Sequence, residues 1–240
     1  MKVLQYSYPR SGSTVVWNIL EDLLSPENTE NKDRFFYPAN VIKTHDLRYF
    51  RQFYAFKGKI KFYNIDYKCG LLVSTIRHPI TNCLSLLRVG MVGASPDKPS
   101  VTKAQGKEEV TNETITLKLQ NYINHYEWML KQLKEKSSKR NTILFDYDQQ
   151  IKPIKPILNT LEGKLGILIL NKEDKIKYFL PPTLMDHGLD KFDQQDNSTL
   201  MHGEHVKSNK YPIEHEILAL ENPLIEKATE LYLELREQYT

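Results

Sequence analysis

Apolar positions along the chain fall into two spacings, and their alternation sets the architecture. Val3-Leu4-Gln5-Tyr6-Ser7-Tyr8 reads as a short strand that ends at Pro9. Ser11-Gly12-Ser13-Thr14 is turn chemistry with capping hydroxyls, and a helical period follows over residues 15–24. There Val15, Ile19 and Leu23 form one stripe and Val16, Leu20 and Leu24 the next. Residues 40–45 read as a second short strand with a polar end. Leu71-Leu72-Val73-Ser74-Thr75-Ile76 is the strongest strand, a continuous buried-type run followed by Arg77-His78-Pro79. Helices follow over residues 80–89, with Pro79 near the first turn, and over about 114–136. Residues 142–145 read as a fourth strand and residues 223–239 as an amphipathic helix. Strands alternating with helices predict an α/β fold with a central, mainly parallel sheet flanked by helices. Residues 90–111 and 181–210 carry no period and read as long loops.

Composition narrows the class. At about 150 residues per domain, 240 residues predict a single domain over residues 1–240. Hydrophobic residues are 40% and charged residues 26%, a globular balance rather than a disordered one. Two cysteines, Cys69 and Cys83, argue against a disulfide framework or a four-cysteine zinc site, and no metal-ligand cluster is visible. No apolar run approaches a membrane span, and the first residues run into Pro9-Arg10 without a signal-peptide core, which predicts a cytoplasmic protein. The net charge of +3 is too small to imply nucleic acid. The one dense basic run, residues 131–140, reads as the capped and solvated end of a helix. An anionic ligand therefore has to be held by a few placed cations.

Three clusters supply such placement. A strand that turns through Pro9-Arg10-Ser11-Gly12-Ser13-Thr14 into a helix leaves backbone N–H groups converging beside a positive helix end. Gly12 permits close approach, Ser13 and Thr14 add hydroxyls, and Arg10 adds a fixed charge. The Gly-Lys-Ser/Thr ending of a nucleoside-triphosphate P-loop is absent, which disfavours a nucleotide or small-molecule kinase. Arg77 ends the buried strand, where open α/β sheets bind ligands, and Ser85 lies on the helix that follows. Lys43 and His45 alternate onto one face of the second strand, an ammonium and an imidazole suited to a site where a proton leaves and negative charge develops.

In order and context these residues resemble the sulfotransferase family that uses 3′-phosphoadenosine 5′-phosphosulfate (PAPS), especially its cytosolic branch. Tyr8-Pro9-Arg10-Ser11-Gly12-Ser13-Thr14 resembles its 5′-phosphosulfate loop, Arg77 with Ser85 its 3′-phosphate motif, and Ile42-Lys43-Thr44-His45 its catalytic strand. Phe145-Asp146-Tyr147-Asp148 loosely resembles the family's Tyr-Glu-Asp stretch. The resemblance covers roughly residues 1–150. It implies a three-layer α/β/α fold like that of P-loop NTPases and in-line, metal-free sulfuryl transfer to an acceptor hydroxyl, leaving 3′-phosphoadenosine 5′-phosphate (PAP). His45 is then the general base, with Lys43 and Arg10 as charge stabilisers. Residues 10–15 (Arg10, Ser11, Gly12, Ser13, Thr14, Val15), Arg77 and Ser85 are then the nucleotide site. The sequence departs from the family pattern in two places. Val15 stands where an aromatic residue usually stacks on adenine, and the late Arg-Lys-Gly segment has no match nearer than residues 202–207 and Lys210. A non-catalytic nucleotide-binding module remains the alternative of a different class. The acceptor is a small-molecule or carbohydrate hydroxyl; 14 Tyr and 9 Phe suit a phenol, a steroid and a sugar ring alike.

Overall fold

The computed structural model describes residues 1–24, 40–90, 108–135, 142–179 and 211–239. Strand β1 (Lys2–Tyr6) leads through a loop into α1 (Ser13–Leu24), and β2 (Val41–Thr44) follows. Helix α2 (Leu47–Ala55) is capped by Asp46, whose carboxylate accepts from the Arg48 backbone N–H. Strand β3 (Lys59–Phe62) turns into β4 (Ile65–Ile76), and α3 (Pro79–Val89), α4 (Asn112–Glu135) and β5 (Thr142–Asp146) come next. One π-helical turn (Tyr147–Ile151) precedes α5 (Lys155–Leu165) and α6 (Lys172–Phe179); α7 (Ile213–Leu220) and α8 (Ile225–Tyr239) end the described chain.

The sheet has the order β2-β1-β4, with β5 on the far side of β4, and all three of these pairings are parallel. Side chains alternate across it. Val3, Val41, Leu71, Val73, Ile143 and Phe145 face α1, α5 and α6, whereas Leu4, Tyr6, Ile42, Leu72, Ile76 and Leu144 face α2, α3, α4, α7 and α8. The predicted three-layer α/β/α arrangement is thus the one observed. Cys69 and Cys83 are free and buried.

Strand β4 is longer than the apolar run over residues 71–76 predicts. Its first residues pair antiparallel with β3, Lys59 opposite Lys68 and Phe62 opposite Ile65. The connecting residues Tyr63 and Asn64 both hold positive φ (45° and 65°), the backbone of a type I′ turn. Strand β1 ends two residues earlier than its pattern suggests, which frees Ser7 and Tyr8 for the loop.

The topology fixes where a ligand can sit. The connection after β1 runs to β2 on one side, and that after β4 runs to β5 on the other, so the carboxyl ends of β1 and β4 diverge around a crevice. The loop after β1 and Arg77 after β4 meet there.

Candidate active site

Three successive carbonyls of the loop after β1 are tied down by side chains. Ser11 Oγ donates to the Tyr8 carbonyl and stands 2.6 Å from Thr75 Oγ1. Asn82 Nδ2 donates to the Pro9 carbonyl at 2.9 Å, and Arg77 Nη1 to the Arg10 carbonyl at 3.0 Å. In a trans peptide the C=O and the next N–H point in opposite directions, so fixing these carbonyls also fixes the Arg10 and Ser11 N–H groups the other way. Arg10 itself has φ 63°, a left-handed conformation that a non-glycine residue adopts only when its surroundings enforce it. Gly12 has φ 90°, and a Cβ there would stand 2.7 Å from Tyr147 Cδ2 and 3.0 Å from Ile151 Cδ1. The loop is wedged against the π-helical turn and has room only for glycine.

Two clusters of basic side chains line this crevice. In the first, Arg10 Nε donates to Ser85 Oγ at 3.0 Å, while Arg77 donates through Nε to Thr81 Oγ1 at 3.2 Å. The Arg77 guanidinium lies 4.3 Å over the Tyr147 ring, and its carbonyl accepts from Tyr122 Oη at 2.9 Å. Burial, then the charges of Arg77 and Arg88, lower the Arg10 pKa to about 10. In the second cluster, Lys43 Nζ donates to Thr14 Oγ1 at 2.9 Å and sits 5.6 Å over the Trp17 ring. Burial pulls its pKa down to about 7. His45 Nδ1 lies 2.7 Å from the Ser7 carbonyl. A carbonyl only accepts, so Nδ1 carries the hydrogen and Nε2 keeps its lone pair. Burial, then the Lys43 charge, pull the His45 pKa down to about 4, and Arg10 adds to the effect, so the imidazole is neutral near pH 7.

The sequence-predicted residues are therefore brought together as two adjoining groups: Arg10, Arg77 and Ser85 on one side, Thr14, Lys43 and His45 on the other. Ser85 is fully buried beneath Arg10. Ser11 directs its hydroxyl inward to Tyr8 and Thr75, and Ser13 is buried, which leaves their backbone N–H groups as the donors. The Val15 side chain packs with Trp17 in the core on the α1 face, so only its backbone lies near the loop. Residues 202–207 and Lys210, with the rest of the loop over residues 181–210 and residues 91–107 of the other long loop, lie outside the described residues.

Several side chains at the site stand outside the predicted site residues, and of these Tyr147 and Asp146 fall in the stretch that loosely resembles Tyr-Glu-Asp. Tyr147 both stacks on Arg77 and abuts Gly12. Its turn is held by the buried Asp146, which accepts from the Asp148 and Gln149 N–H groups and from Tyr232 Oη of α8. Asn82 and Thr75 act only by fixing the loop. Arg88 lies one turn beyond Ser85 on α3, a spacing that was available to find it.

Among the described residues no group of three or more His, Cys, Asp or Glu side chains is arranged to hold a metal ion, and no helix is long and apolar enough to cross a membrane. The basic side chains Lys131 and Lys134 pair with Glu135 and Glu234.

No protein-family model and no curated protein matches the chain. Among solved structures, mouse sulfotransferase SULT7A1 complexed with PAP matches over 97% of this chain and 83% of that one, at 14% identity and a TM-score of 0.56. With the parallel sheet, the flanking layers and the loop after β1 all in place, the chain has the sulfotransferase fold.

Proposed function

We propose that the chain is a sulfotransferase that moves a sulfuryl group from PAPS to a hydroxyl of a small-molecule or carbohydrate acceptor, with residues 1–240 acting as one domain. The observation that carries this reading is the 2.9 Å bond from Lys43 to Thr14, which joins the end of β2 to the start of α1. It brings the half-buried amine of Lys43, and with it the neutral imidazole of His45, to the mouth of an anion-binding loop. The donor set fits a compact, multiply charged nucleotide: Arg10, Lys43 and Arg77 around fixed backbone N–H groups and a helix start. The solved neighbour, complexed with PAP, supports the same ligand chemistry.

The bound nucleotide supplies an activated sulfuryl group whose departure leaves charge on a phosphate oxygen. Lys43 and Arg10 stabilise negative charge at the 5′ end, together with the backbone of residues 10–15 and the Thr14 hydroxyl. Arg77 and Ser85 bind the 3′-phosphate, a task for which a planar guanidinium is better than an ammonium. His45 accepts the acceptor's proton at Nε2, its ring held by the Nδ1–H bond to Ser7. Binding an anion beside Lys43 and Arg10 offsets the positive field that depresses His45, which moves its basicity towards the working range.

A thermal-shift comparison of PAP with magnesium-ATP, followed by mass-spectrometric screening of phenolic, steroid and sugar acceptors with PAPS, tests the reading. Stabilisation by PAP and a sulfated product are expected. Stabilisation by magnesium-ATP alone would sink it, and tight PAP binding without any product would identify a binding module instead.

A further inference from the structure

We propose that the β3–β4 hairpin is a docking element for a membrane surface carrying anionic phospholipids. The ribbon is two-sided. Ile60, Phe62, Ile65 and Tyr67 share one face, which α2 covers at Ile60 and, through Tyr49, at Phe62, but leaves open at Ile65. Lys59, Lys61, Asp66 and Lys68 share the other, which faces solvent. Over residues 56–70 there are four lysines (Lys57, Lys59, Lys61, Lys68) and one carboxylate, Asp66. Lys59 stands directly opposite Lys68, a like-charge pair that costs stability in an isolated ribbon and is relieved by an anionic partner.

The tip supplies the second observation. Type I′ turns favour Asn, Asp or Gly because both central residues need positive φ. Here Tyr63 takes the first position at φ 45° and is 79% exposed, and Ile65 beside it is 53% exposed. A bulky aromatic ring is thus held against its backbone preference at the most projecting point of the ribbon. A polyanion such as an acidic polysaccharide would use the lysines but gives no role to Tyr63 and Ile65. A bilayer uses both: the ring and the isoleucine enter the headgroup boundary, and the lysines, within about 13 Å along the ribbon, reach the phosphates and carboxylates. The hairpin leaves the sheet at the end of β4 away from Arg77, roughly 35 Å along the strand. Docking there leaves the crevice facing the solvent. The inference does not depend on the proposed sulfuryl transfer.

The test is co-sedimentation of the full chain with vesicles of phosphatidylcholine alone or mixed with phosphatidylserine. The expected result is binding to the mixed vesicles only, weakening as salt is raised. The K59E/K61E variant should lose about tenfold or more in partitioning, and Y63S/I65S should lose comparably while keeping the wild-type melting temperature. Equal sedimentation of the wild type with both vesicle types, or with neither, overturns the proposal without reference to any variant. Undiminished vesicle binding by Y63S/I65S also overturns it, and retention of that variant on a heparin column would then identify the lysines as a polyanion site.

Discussion

Arg77 Nη1 donates to the backbone carbonyl of Arg10 at 3.0 Å, so the cation that follows β4 is also a strut for the loop that follows β1. The same guanidinium bonds Thr81 through Nε and stacks on Tyr147. Lysine keeps the charge but cannot form this fork. Arg77→Lys is expected to weaken PAP binding by about 2 kcal/mol, roughly thirtyfold. The loss for adenosine 5′-phosphosulfate, which lacks the 3′-phosphate, should be clearly smaller. Calorimetry that finds equal losses for the two nucleotides would confine Arg77 to holding the loop.

Under the proposed function, Lys43 should make donor binding a proton-linked event. With a pKa of about 7 in the free protein, a large share of its side chains is neutral at pH 7.5, and an anion beside it favours the charged form. Binding of PAP near that pH should therefore take up a proton, and affinity should fall as pH rises above 7. Titration calorimetry in buffers of different ionisation enthalpy measures the uptake directly. Lys43→Met should abolish the uptake and flatten the pH dependence.

His45 predicts opposite signatures in turnover and in stability. Burial holds its imidazole pKa at about 4 in the folded chain, against an ordinary 6.5. Between those values the unfolded state binds the extra proton, so stability rises as pH goes from 4 to 6.5 and is lost on the way back down. His45→Gln should remove turnover, leave PAP affinity within about threefold, and flatten this acid slope in urea titrations. An unchanged acid slope would mean that the ring is not held neutral by its surroundings.

Gly12→Ala tests the wedge between the loop and the π-helical turn. The added methyl meets Tyr147 and Ile151 at a φ of 90° that alanine rarely adopts. A destabilisation of about 1–3 kcal/mol is expected, with weaker PAP binding because the loop and Tyr147 must part. A wild-type melting temperature together with wild-type affinity would show that the loop accommodates a side chain freely.

Tyr232→Phe removes a buried donor to Asp146, the residue that caps the turn carrying Tyr147. The expected cost is about 1–3 kcal/mol of stability. Full stability of the variant in chemical denaturation would show that the bond to α8 is dispensable.

The parts of the fold legible in the sequence are those whose signal is local. The continuous run over residues 71–76 and the 24-residue α4 carry their period within one window, and both stand where the pattern puts them. The hairpin is hidden because its turn is Tyr63-Asn64 rather than Asn-Gly, and α2 because it has only nine residues in which to show a stripe of Leu47, Phe50, Phe53 and Tyr54. The site divides in the same way. Arg10, Lys43 and Arg77 are cations at strand ends, a relation visible along the chain. Asn82 matters through a carbonyl 73 residues away, and any donor of that reach would serve, so no residue pattern announces it.

Strand β4 belongs to two pairings, an antiparallel one closed across a two-residue turn and parallel ones with strands far removed in sequence. Local ribbons form in microseconds, whereas distant parallel pairing is slow because the long intervening chain must first be closed. During refolding the hairpin can thus extend the first part of β4 well before β1 arrives beside it. The crevice, which needs the ends of both strands, then forms no earlier than that pairing. Recovery of PAP binding after dilution from denaturant should lag behind hairpin formation and keep time with closure of the β1–β4 seam.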